Sequence, residues 1–289
     1  MDNNQLGAYI KRVRTERKIR IDAVTPGSVA KLSRFENGKT NLSNEDLFLV
    51  MQRLGVGIDD LKLSFVQYQS PFVRFTEDFL RERREMTLAR LNDLWRTYTR
   101  AHVATGKLAD VNQLMFKAVR AQLITKELVF LDSEVERKVT QLLQANAHWL
   151  QYDYALFTLA VPFLQQRTVL NLFTQMLNEA DQYTDAYTDQ RAVVTSEVVK
   201  TLLLRGAKVE LTQPVVLLRR LRPHELWGND AMMKHYLLAR ADAVLNGTED
   251  DGTVAELFRS LDVLGMSKTK NYLQFINNEI DRAESEVND

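Results

Sequence analysis

The sequence predicts an all-α chain in two parts, a compact set of five short helices followed by a longer succession of amphipathic ones. Three observations predict it. Prolines number five and glycines 11 in 289 residues, so helix breakers are scarce. Apolar residues recur at i, i+3, i+4 and i+7 rather than alternating, and strand-like runs of Val, Ile and Thr are few. The interruptions of that periodicity coincide with Gly or Pro. The hydrophobic fraction of 45% and charged fraction of 26% are those of a globular chain with a real core.

The first helix reads from Asn4 to about Lys18, with Leu6, Ile10 and Val13 on one stripe. A second, short helix covers Ile21 to Val24 and ends at the turn Thr25-Pro26-Gly27. The third runs from Ser28, a candidate N-cap, to Asn37, with Leu32 and Phe35 facing the core and Gly38 as its stop. In the fourth, Ser43 with Asp46 three residues on approximates a capping box; Leu47, Val50, Met51 and Leu54 form the apolar stripe, and Gly55 ends it. A fifth turn, Ile58 to Leu63, closes a domain of residues 1–65.

Charge separates this module from the rest. Overall the chain is neutral, with 38 basic and 38 acidic residues, yet residues 1–39 hold nine Lys/Arg against four acids. A small basic module on a neutral-to-acidic body suits a nucleic-acid partner. Five short helices with basic surface on the first and third make a helix-turn-helix the economical reading. Lys11, Arg12 and Arg14 lie off the apolar stripe and are candidate phosphate contacts on charge alone.

The segment LSRFENGKTNLS, Leu32 to Ser43, resembles the signature of XRE/Cro-type helix-turn-helix domains. The longer stretch GAYIKRVRTERKIRIDAVTPGSVAKLSRFENGK is similar to the Rgg/GadR/MutR regulators, whose core SQISRFERG corresponds to Ala30 through Gly38. The resemblance implies double-stranded DNA as partner, with Val29, Ala30, Ser33 and Arg34 at the groove-facing positions of the third helix. It places Ser28, Lys39 and Thr40 at phosphate-contacting ones. Arg34 is the expected base reader, since its planar fork bonds two acceptors on guanine. Val29 and Ala30, apolar at two reading positions, would meet thymine methyl groups and leave much of the specificity to DNA shape.

Residues 66–289 read as ten amphipathic segments: Phe72 to Ala104, Ala109 to Thr125, Asp132 to Asn146, Trp149 to Val161, Gln165 to Asp181, Asp189 to Leu204, Gln213 to Leu221, Asn229 to Leu245, Thr253 to Leu264, and Lys268 to Glu284. Consecutive pairs repeat at roughly 35–45 residues, as in TPR-like solenoids, with an irregular helical bundle as the alternative. The stretch HWLQYDYALFTLAVPFL, His148 to Leu164, resembles the W-x-x-Y-x-x-x-L-F block of the Rgg family. That likeness implies a superhelix whose concave face binds a short peptide pheromone, as in the RRNPP group, within a homodimer that meets an inverted repeat and possesses a surface for RNA polymerase. Asn171, Gln175 and Asn178 share one helix face and are candidates for bonding an extended peptide; Arg120 and Arg167 are candidates for its carboxylates. Tyr152, Phe157, Phe163 and Phe173 sit at helical spacings that indicate core.

Other chemistries find little support. Cysteine is absent, which excludes disulfides, thiolate catalysis and any covalent joint between DNA-binding domains. His102, His148, His224 and His235 lack ligand spacing, and His224-Glu225-Leu226-Trp227 has no second His. The acidic turn Asn246 to Gly252 has Phe258 where a calcium loop needs its closing Glu. Ser28-x-x-Lys31 has a β-lactamase spacing but falls inside the third helix. Neither an enzyme nor a cofactor is expected. Without a signal peptide or an apolar membrane span, the expected location is cytoplasmic. Two alternatives remain: a DNA-binding regulator answering stress instead of a peptide, and a helical interaction scaffold or inhibitor.

Overall fold

The structure is a computed structural model that describes residues 3–65, 70–101, 106–126, 129–146, 148–178, 187–221, 228–248 and 252–288. Among the described residues there is no strand. The chain divides into two compact units, Met1–Gln69 and Ser70–Asp289.

The first unit holds α1 (Asn3–Glu16), α2 (Ile21–Val24), α3 (Val29–Glu36), α4 (Asn44–Leu54) and α5 (Ile58–Ser64). Each ends for a local reason. Lys18 takes a left-handed φ of 55° after α1, and the Ile19 amide returns to the Arg14 carbonyl at 3.0 Å. Past α3, the Gly38 and Lys39 amides bond the Phe35 and Arg34 carbonyls, both at 2.8 Å, a Schellman-type closure that uses the left-handed Gly38. Ser43 caps α4 as expected, accepting the Asp46 amide at 3.2 Å. The return half of the box is replaced, because the Asp46 carboxylate accepts from Lys31 at 2.7 Å. Ser28 departs from expectation: it occupies the N-cap of α3 but its hydroxyl caps nothing, and its carbonyl receives the Lys31 and Leu32 amides.

Leu6, Ile10, Val24, Leu32, Phe35, Val50, Met51 and Leu54 fill the core of this unit, joined by Val56 and Phe65. Helix α1 crosses α3 without a side chain between them. A Cβ on Gly7 would overlap the Phe35 carbonyl oxygen and lie 3.0 Å from its carbon and 3.3 Å from the Glu36 Cα. Gly in a helix interior carries an entropic cost, and here it permits two backbones to touch.

The second unit comprises α6 (Pro71–Glu82), α7 (Leu88–Ala101), α8 (Lys107–Thr125), α9 (Ser133–Gln144), α10 (Gln151–Ala160), α11 (Gln166–Asn178), α12 (Thr188–Leu204), α13 (Thr212–Arg220), α14 (Gly228–Asn246), α15 (Thr253–Val263) and α16 (Ser267–Asn288). The expected single helix Phe72 to Ala104 is two helices. A 3₁₀ turn at Arg83–Glu85 and an extended Met86 separate them, and Thr87 caps the second by accepting the Arg90 amide at 3.2 Å. Consecutive helices pack as neighbours through most of the unit, and α12 lies at its centre against α10, α13, α14 and α16. That position explains its composition. Val194, Val198, Val199, Leu202 and Leu203 are buried, and so are the polar Arg191, Thr195, Glu197, Lys200 and Thr201. Phe157, Phe163 and Phe173 belong to the same core, and Tyr152 packs against it.

Substituting Gly7→Ala forces α1 and α3 apart. Overpacking against an unyielding backbone is expected to destabilise the first unit by about 3 kcal/mol or more, read as accelerated hydrogen exchange of the α1 and α3 amides at unchanged protection of α12.

Candidate functional site

Helix α2, the turn through Thr25 to Ser28 and helix α3 form a helix-turn-helix, and α3 divides by its own periodicity into two faces. Leu32 and Phe35 turn inward, 1% and 3% exposed. Val29, Ala30 and Arg34 turn outward, and Ser33 is half-buried at the edge of that face. Val29 is 41% exposed, unusual for a β-branched apolar residue that nothing covers. Arg34 has no side-chain partner among the described residues, so its five donors remain available.

The electrostatics of this face follow from where its acids go. Glu36, the only acid of α3, is buried and gripped by Arg14: Nε to Oε1 at 2.6 Å and Nη2 to Oε2 at 2.8 Å. The hydrogen bond to Glu36 raises the Arg14 pKa against the opposing effect of burial. Asp46 at the start of α4 is held below the usual carboxylate range, first by its bond with Lys31 and then by Ser43. Both acids are thus matched by cations, and the outward charge of α3 is the guanidinium of Arg34.

Around this face the expected phosphate contacts separate into groups. Lys39 and Ser28 are exposed, and Lys39 is without a side-chain partner among the described residues. Arg12 is exposed, its guanidinium 5.5 Å from the Tyr9 ring centroid. Lys11 donates to Asn37 Oδ1 at 2.8 Å, and Asn37 Nδ2 donates to the Ser33 carbonyl at 2.7 Å, which brings a positive charge to the C-terminal end of α3. Lys11 and Arg12 border an open groove with Ala8, Thr15, Glu36 and Asn37. Two residues stand elsewhere than expected. Arg14 is 13% exposed, and its remaining Nη1 donates to the Ile19 carbonyl at 3.0 Å, so it is a structural strut with no fork left for phosphate. The Thr40 hydroxyl is buried and has no partner, so it does not face solvent.

In the second unit, α11 presents Arg167, Asn171 and Asn178 as an exposed stripe. Its other face buries Val169, Leu172, Phe173 and Met176. Gln175 is half-buried and donates to the Leu143 carbonyl at 3.3 Å, tying α11 to α9. Arg120 is exposed on α8, which packs mainly on α7, α9 and α10, so α9 stands between it and α11. The five residues are therefore not one assembled cluster.

The polar groups the periodicity conceals lie along α12 and its neighbours. Glu197 is 4% exposed and is paired with both Arg83 and Lys200. Burial alone would raise its pKa; Arg83 and then Lys200 overcome that and hold it at about 2. Arg83 and Arg84 lie 5.4 and 5.3 Å from the Tyr272 ring centroid, and Arg84 donates to Thr269 at 2.5 Å. The turn after α6 is thereby tied to both α12 and α16. Nearby chemistry is also satisfied: Asn112 donates to the Tyr98 hydroxyl and accepts from Tyr152, both at 2.7 Å. Among the described residues no group of three or more His, Asp and Glu side chains is arranged to hold a metal, and no helix is long and apolar enough to cross a membrane. His102, the His224–Trp227 motif and residues 249–251 of the acidic turn lie outside the described residues.

No protein-family model and no curated protein matches the chain. Solved structures do. The chain is similar to the Streptococcus dysgalactiae SHP pheromone receptor Rgg2, with TM-score 0.73 and 16% identity over 95% of this chain and 99% of that one. A candidate transcriptional regulator from Listeria monocytogenes EGD-e gives 0.77 at 11% identity over 98% and 99%. A bacterial peptide pheromone/receptor complex gives 0.69 at 13% identity over 96% and 98%. At these identities the likeness shows the fold, a helix-turn-helix unit with a TPR-like helical unit, over nearly the whole length of each chain.

Arg14→Leu strands a buried carboxylate and is expected to cost about 3–5 kcal/mol in chemical denaturation, against a smaller loss for the double variant Arg14→Leu/Glu36→Leu. Glu197 gives a pH signature. Its folded pKa is depressed from the ordinary glutamate value of 4.5 to about 2. Its contribution, on the order of 3 kcal/mol, is therefore present above about pH 4.5 and lost as the pH falls toward 2. Glu197→Gln should flatten that part of the stability–pH profile.

Proposed function

We propose that the chain is a sequence-specific DNA-binding transcription regulator, homodimeric and cytoplasmic, controlled by a short signalling peptide. The observation that carries the DNA half is the outward face of α3: Arg34 without a side-chain partner among the described residues, flanked by Val29, Ala30 and Ser33, with Glu36 of α3 and Asp46 of α4 matched by cations. Arg34 reads guanine O6 and N7 bidentately, Val29 and Ala30 lie against thymine methyls, and Ser28, Lys39, Lys11 and Arg12 meet phosphate. Two such helices reach half-sites about one helical turn (~34 Å) apart on an inverted repeat. The likeness of the whole chain to a pheromone receptor and to a peptide pheromone/receptor complex supports peptide control from the second unit. Exposed Arg167, Asn171 and Asn178 on one face of α11 supply its polar contacts, and a bound peptide alters the dimer or its contact with RNA polymerase.

Electrophoretic shift and polarisation with DNA upstream of its own coding sequence test the reading. Arg34→Ala is expected to weaken binding by about 1–3 kcal/mol and to relax preference at one base pair. Lys39→Ala should weaken all sequences alike and reduce the salt slope by about one. Equal affinity of Arg34→Ala and wild type for the selected site rules out α3 as the reading helix, and DNA binding indifferent to every peptide leaves a peptide-independent regulator.

A further inference from the structure

We propose that Arg191 is the anchor for a carboxylate of the ligand bound by the second unit; this rests on the peptide-controlled reading above and assigns it a residue that reading lacks. Arg191 lies in the first turn of α12 and is only 5% exposed. Three Lys or Arg residues are buried to this degree among the described residues. Lys200 is paired with Glu197, and Arg240 with Asp281 and Glu284 at 2.6 and 2.9 Å. Among the described residues Arg191 alone of the three has no carboxylate partner, and its buried Nε has no acceptor there. A guanidinium does not escape burial by losing its proton. A buried charge without a counter-ion is unfavourable, and its persistence calls for something that offsets it.

The surroundings specify what that is. Arg191 follows Tyr187 by one helical turn and so shares its face. The Tyr187 ring meets Tyr154 of α10 at 5.3 Å, and Tyr154 meets the Trp149 ring edge-on at 5.6 Å. Trp149 is 4% exposed, and its Nε1 is the second buried N–H in this region without an acceptor. Two unanswered donors, one of them a permanent cation, thus flank a chain of rings, Trp149–Tyr154–Tyr187, at the N-terminal ends of the packed helices α10 and α12. A ligand that satisfies both is an acceptor-rich anion with apolar flanks. A carboxylate meets the planar fork of arginine with two parallel bonds, and the tyrosine faces receive the apolar part. A peptide offers that group from an acidic side chain or from its C-terminus.

The full-length protein is tested with three pools of short hydrophobic peptides, bound peptide being separated by equilibrium dialysis and identified by mass. One pool carries a single glutamate and an amidated C-terminus, the second glutamine and an amidated C-terminus, the third glutamine and a free C-terminus. Wild type is expected to retain the first or third pool at least about tenfold over the neutral second, which also tells side chain from terminus. Arg191→Met should lose that preference. It should also melt no lower than wild type in the absence of peptide, because it removes an unpaired buried charge. Equal retention of the three pools, acid preference surviving in Arg191→Met, or a lower ligand-free Tm for that variant overturns the assignment while leaving peptide control standing. Retention of no pool overturns peptide control and the assignment with it.

Discussion

The closeness of α1 to α3 governs how the first unit presents its outer face. Without a side chain at Gly7 the two backbones meet at Phe35 and Glu36, and the Arg14–Glu36 pair ties a point two turns further along α1 to the same end of α3. The two contacts converge on the C-terminal end of α3 and do different things there. Gly7 sets the distance, and the bidentate pair sets rotation, since a planar fork tolerates little twist about its axis. The same pair removes the only negative charge of α3 from the exposed surface. Packing and surface potential are consequently determined by the same side chains.

The second unit meets a related difficulty differently. Its central helix α12 is enclosed by α10, α13, α14 and α16 and yet carries five buried polar residues. Most are answered internally: Glu197 by Arg83 and Lys200, and Thr195 by the Arg191 carbonyl at 2.7 Å. Glu197 fastens α12 to the turn after α6 through Arg83, and Lys200 and Thr195 are answered within α12, whereas Arg191 and Trp149 remain open among the described residues. Within one core, the difference between a strut and a binding group is whether its partner belongs to the chain.

Much of this was legible from residue order. The stripe Leu6, Ile10, the cap at Ser43 and the stops at Gly38 and Gly55 are local signals, and local signals survive translation into structure. The helix-turn-helix and the exposed outer face of α3 follow from them. What failed was non-local. Arg14 looked like one more surface cation because Glu36, its partner, lies 22 residues away. The break after α6 was hidden because Phe75, Phe79, Leu91 and Leu94 keep an apolar rhythm across it, and only Thr87 marked the restart. Spacing alone puts Asn171, Gln175 and Asn178 on one face of α11, yet Gln175 is half-buried and spent on the Leu143 carbonyl. In α12, periodicity carries no information because both faces are inside; the run TSEVVKT, five charged or hydroxyl residues around two valines, is the available sign.

The Arg83–Arg84 turn has a consequence for the order in which the chain folds. Its bonds reach residues 114 and 185 positions further on, at Glu197 and Thr269. On a ribosome adding roughly 5–20 residues per second, these two arginines wait many seconds for their partners to emerge. The first unit, whose core residues all lie within its own short span, closes long before. A nascent second unit therefore passes through a stage in which α6 and α7 are made but their polar turn is unanswered, and it is completed only when α16 arrives.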